Sequence, residues 1–104
     1  MNNYIISVRQ PDTTNDTFQK YITHRPVYLV VPENVTDPLP SHSVSTTQTW
    51  MNSILDQAKT NGSTDIVLFV HGFNTSPAEA LERQVAIQSG LQIAGTKAIV
   101  IGFD

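Results

Sequence analysis

Residues 64–83 read TDIVLFVHGFNTSPAEALER, and the architecture of the chain follows from how this stretch divides. DIVLFV (65–70) is short and almost continuously apolar, the pattern of a strand buried on both faces of a parallel sheet. Ser76, Pro77 and Glu79 then mark a helix start. Serine caps the free N–H groups, proline fits the first helical position, and glutamate stands three residues after the cap. Ala80, Ile87, Leu91 and Ala94 recur at helical spacing, with Ala78, Leu81 and Val85 broadening the apolar face, and Gly95 supplies a stop. A helix is therefore predicted over 76–95. KAIVIGF (97–103) is a further apolar strand. Residues 65–103 form a β-α-β unit, whose strands run parallel with a right-handed crossover.

Upstream, YIISVRQ (4–10) reads as a strand ending at Pro11, and PDTTNDT (11–17) is turn chemistry. Phe18–Arg25 has no clear period and fits an extended lead-in. PVYLVVP (26–32) is a second strand between two prolines, and ENVTDPLPSHS (33–43) is a loop. Trp50, Met51, Ile54, Leu55 and Ala58 then share one helical face, with Ser45 or Thr46 as cap and Gly62 after the end. The order is β-β-α-β-α-β, an α/β class in one domain, with helices covering both faces of the sheet.

The chain has 104 residues, 39% hydrophobic and 14% charged, with formal net charge −3. The charged share is well below the roughly 25% usual in globular domains, and Lys and Arg are scattered. This speaks against nucleic acid and anionic membranes as partners. The absence of cysteine excludes disulfides, thiolate metal sites and cysteine nucleophiles. No cofactor and no metal site is expected. MNNYIISVRQPD lacks a basic lead and a long apolar stretch, so it is not a signal peptide, and a cytoplasmic chain is the expectation.

HGFNTS (71–76) falls where open α/β sheets meet ligands, at the carboxyl end of a strand. Gly72 permits a turn that other residues resist. The helix behind it offers free N–H groups and the positive end of its dipole, as an oxyanion hole requires. A plain β-α turn needs a glycine and a cap too, whatever it binds. On the spacing alone the plain turn is the preferred reading. It is not a nucleotide loop, since G-x-G-x-x-G and the P-loop lysine are missing.

IVLFVHGFNTSPAEALER, followed by a strand ending VIGFD, resembles the third strand, His-Gly loop and first major helix of α/β hydrolases, and in particular a bacterial family of unknown function within them. The likeness covers residues 65–104; 1–64 agree only in strand order. It implies a serine hydrolase acting on an ester or other acyl substrate. The Phe73 backbone N–H would be the oxyanion donor and Asn74 its neighbour, with His71 and Gly72 shaping the loop. The base histidine of such enzymes comes late in the chain, so His71 is read as a brace. His24 and His42 read as exposed loop histidines.

The rest of the machinery is missing from these residues. There is no G-x-S-x-G. Ser89 lies within a helix, Ser76 is a cap, Asp65 faces solvent at a strand start, and Asp104 is a terminal polar residue. The nucleophile, acid and base are thus expected outside this chain. Residues 1–104 read as the N-terminal fragment of a larger α/β-hydrolase domain, inactive alone. The alternative is a non-catalytic α/β binding or interaction module. In the hydrolase order 1-2-4-3-5 the third strand lacks its outer neighbour here, so a homo-oligomer through that sheet edge, or through uncovered helix faces, is expected.

Overall fold

β1 (Asn3–Asp12) and β2 (Thr17–Val31) form a long antiparallel hairpin in this computed structural model, which describes residues 1–71 and 74–104. Asp12 organises the turn by accepting from the Thr14 and Asn15 N–H groups. The Asn15 side-chain amide, and then the backbone donors of Asn15 and Thr14, hold the Asp12 carboxyl below its ordinary range. The hairpin is longer than the sequence pattern suggested. Arg9, Pro11 and Asp12 pair with Ile22, Phe18 and Thr17, which draws 17–25 into a strand. Pro26 lies in the register break between Ile22 and Val27, where a missing N–H does no harm.

The sheet order is β2-β1-β4-β3, with β3 (Asp65–Val70) and β4 (Ala98–Phe103) parallel to each other and β4 parallel to β1. Element order and the parallel pair are as read from the sequence. In space, the first two strands exchange places relative to the order 1-2-4-3: β1, not β2, lies against β4.

α1 (Thr47–Asn61) and α2 (Pro77–Ile93) cover opposite faces. Trp50 and Ile54 of α1 pack on Tyr4, Ile99 and Ile101, while Leu81 of α2 packs on Ile5, Leu29 and Val31. The Trp50 indole N–H reaches Leu29 O at 2.9 Å. Both helix starts are capped as expected. Thr46 Oγ1 accepts from Thr49 N–H, and Ser76 Oγ from Glu79 N–H. Gly62 closes α1 at φ 64° and Gly95 follows α2 at φ 80°, left-handed positions that favour glycine. No helix among the described residues is long and apolar enough to cross a membrane.

Three sequence expectations need correction. β3 is not buried on both faces: Ile66, Leu68 and Val70 are 61%, 58% and 60% exposed, because β3 is the sheet edge and nothing covers that side of it. The apolar face of α1 is narrower than its sequence, since Met51 and Leu55 remain about half exposed. The centre of α2's buried stripe is polar. Gln84 is 1% exposed beside Ala80 and Leu81, while Val85 and Ala94 face outward.

The buried glutamine has a reason. The odd-numbered residues at the end of β4 bond to β3, as His71 N–H to Phe103 O shows, and the even-numbered ones face β1. The β1–β4 pairing runs only from Tyr4–Ile101 to Ile6–Phe103, so Ala98 O and Val100 N–H face the β1 side without a strand partner. Gln88 supplies both, donating to Ala98 O and accepting from Val100 N–H. Gln84, one helical turn earlier, adds a second donor to the ladder carbonyls Val100 O and Tyr4 O, while its own Oε1 has no partner among the described residues.

Candidate functional site

A crevice of about 720 Å³ opens at the carboxyl ends of β3 and β4. His71, Asn74, Thr75, Ser76 and Pro77 line one side, Arg9 and Asp104 the floor, and Phe18, Lys20 and Tyr21 of β2 the far wall. His71, Asn74, Thr75 and the start of α2 therefore border open space. Gly72 and Phe73, with the expected oxyanion N–H, lie outside the described residues.

Asn74 is exposed and sits at φ 66°, in the left-handed region where asparagine is among the better-tolerated residues. Its conformation turns the chain from the loop into the cap. Thr75 is 7% exposed, and its carbonyl accepts from the Arg9 guanidinium. Arg9 also pairs with the Asp104 carboxylate at 2.8 Å. One cation thus ties the loop before α2 to the ends of β1 and β4. Asp104 is not a frayed terminal group: its side chain is 6% exposed, its N–H donates to Ile6 O, and its carbonyl accepts from Val8 N–H. Sequence reasoning missed Arg9. A single arginine in a strand carries no spacing signal, and its two partners lie in distant segments.

His71 stands edge-on to Phe69, with ring centroids 4.7 Å apart, and its backbone N–H bonds Phe103 O. Its Nδ1 is buried without a hydrogen-bond partner among the described residues. Burial pushes the imidazole below its ordinary pKa. Asp104 opposes this, and Arg9 and Arg83 add to it. The ring is therefore held neutral. No hydrogen bond joins it to Asp104, whose carboxylate is taken by Arg9.

Ser76 Oγ is occupied as a cap, accepting from Glu79 N–H at 3.2 Å and lying 3.1 Å from Glu79 Oε1. Ser89 is exposed on α2, beside a second crevice of about 520 Å³ against residues 33–36, and no histidine lines it. Asp65 is exposed as read. Two histidines were placed in loops. His24 is exposed but lies in β2, and His42 is half-buried, its Nδ1 accepting from Leu39 N–H at 2.9 Å. Its partner is three residues away in a 3₁₀ turn (Pro40–His42), a local contact that a loop reading overlooks.

Among the described residues, no three histidine, aspartate or glutamate side chains gather so as to hold a metal ion. Comparison with known proteins finds no family model, no curated protein and no solved structure that matches this chain.

Proposed function

We propose that this chain forms the oxyanion-loop side of an α/β-fold serine hydrolase site for an ester or other acyl substrate. The observation that carries the reading is the 720 Å³ crevice at the carboxyl ends of β3 and β4, lined by His71, Asn74, Thr75 and the N-terminus of α2. Donors there meet the positive end of a helix dipole, which favours a developing oxyanion. Arg9 holds the backbone at Thr75, on the helix side of the loop. In this proposal Phe73 N–H is the donor, Asn74 its neighbour, and His71 and Gly72 shape the loop. None of the 104 residues serves as nucleophile, acid or base, and the chain alone turns over no ester.

Titration of the isotope-labelled chain with a methylphosphonate monoester, a tetrahedral anion, tests the reading. Amide shifts centred on residues 73–78 are expected, with no hydrolysis of p-nitrophenyl acetate. Shifts confined to other surfaces, or turnover blocked by a serine-directed phosphonate, would overturn it. A second reading, a non-catalytic interaction module, is favoured by the uncovered apolar edge of β3.

A further inference from the structure

The two edges of the sheet are treated differently. The β2 edge is bridged at one end, where Leu29 meets Ser43 and Val44 N–H donates to Tyr28 O, and its open part carries Lys20, Arg25 and Pro26. The β3 edge carries no charge and no proline between Ile66 and Val70, the devices that usually blunt an edge. Its backbone polarity follows from the ladder. Odd-numbered residues of β3 bond to β4, so the N–H and C=O groups of Ile66, Leu68 and Val70 point outward. Their side chains share the α1 face with Ile99 and Ile101, their ladder neighbours, but lie beyond the cover of α1.

We infer that β3 pairs antiparallel with β3 of a second copy, about a two-fold axis through Leu68, to give one continuous eight-stranded sheet. The strand is self-complementary in this register. Leu68 faces Leu68 and Ile66 faces Val70 as hydrogen-bonded pairs, so all the outward groups of these three residues are satisfied. Six exposed apolar side chains then close over one face. On the other face Val67 lies opposite Phe69, and Asp65 opposite His71. A two-fold axis normal to the sheet allows only residue-centred registers. Shifting the centre to Val67 or Phe69 leaves one of the three apolar residues opposite Thr64 or Gly72 and breaks the Asp65–His71 match. The match of this strand to itself favours a second copy over an unrelated partner. The inference concerns residues 1–104 by themselves: in a completed hydrolase sheet the outer neighbour expected for β3 would take the same edge.

Sedimentation and amide exchange on the intact chain test it. A strand pairing without a broad surrounding interface is a small contact, so association at roughly 10–100 μM is expected. As concentration rises through that range, exchange at the Ile66, Leu68 and Val70 amides slows at least tenfold, while Val67 and Phe69, already bonded to β4, do not change. Leu68→Lys places two cations on the axis and raises the dissociation constant at least tenfold; circular dichroism checks that the variant keeps its fold. A monomer persisting to millimolar concentration overturns the proposal. So does a dimer that leaves those three amides unprotected or is indifferent to Leu68→Lys.

Discussion

Adding one methyl group at Gly102 tests how tightly α2 is seated. A Cβ built there stands 2.1 Å from Gln84 Oε1 and 3.0 Å from its Cδ. A long side chain normally swings clear of such a clash, but this one is 1% exposed and its Nε2 is bonded to Tyr4 O at 3.0 Å and Val100 O at 3.3 Å. Moving it trades overpacking, about 1–3 kcal/mol, against buried amide and carbonyl groups left unpaired, about 1–3 kcal/mol. The lower backbone entropy of unfolded alanine returns about 0.4–1 kcal/mol. Gly102→Ala should therefore cost about 1–2 kcal/mol, a sizeable share of the roughly 5–15 kcal/mol of a small domain. Urea unfolding followed by the fluorescence of Trp50, the single and buried tryptophan, measures it. Gln84→Ala in the same chain removes the obstruction, so the double variant should be more stable than the two single losses predict, by about 1 kcal/mol or more. A neutral Gly102→Ala, or additive losses, would refute the idea that the Gln84 amide occupies the space over Gly102.

Two further outcomes are expected. Burial favours neutral His71 in the folded chain, so the unfolded chain takes up the proton first. The stability from this group is complete above its ordinary pKa of about 6.5 and declines as pH falls below it. Urea midpoints from pH 7.5 to 5.5, measured below the association range, should fall less steeply in His71→Asn than in the native chain; equal slopes would count against a buried neutral ring. Arg9→Met strands the Asp104 carboxylate and frees Thr75 O, at about 2–3 kcal/mol, less than a fully enclosed pair because a fifth of the Arg9 side chain is exposed. Arg9→Met with Asp104→Asn should recover more than half of that loss in the same unfolding assay, and no recovery would rule out the stranded charge as its source.

The features legible in the sequence are those set by neighbours along the chain. Ser76, Pro77 and Glu79 announce a helix start because their effect is confined to one turn, and Thr46 and Gly62 do the same for α1. The β-α-β unit follows from two apolar runs around that helix. DIVLFV by itself reads as a strand covered on both faces, and its open edge was expected only from the resemblance, because burial depends on what lies beside a strand and not on its composition. Gln84 and Gln88 were passed over for a related reason. A polar residue inside an apolar period reads as surface unless the short pairing of β1 with β4 is known. At the candidate site, the joint 71–76 was located by its cap and glycine. Its anchor, Arg9, was not, because an ion pair between the first and last strands leaves no trace in local spacing.

The two glutamine amides on α2 also act as a gauge. Apolar contact is non-directional, so a helix held by side chains such as Leu81 alone can slide along a sheet at little cost. Directed hydrogen bonds to Tyr4, Ala98 and Val100 forbid that sliding. Gln84 lies eight residues from the Ser76 cap, roughly 12 Å along the axis at 1.5 Å per residue. The depth of the crevice is therefore metered from the far end of the sheet: altering Gln84 or Gln88 would shift the mouth of the site without touching any residue that lines it.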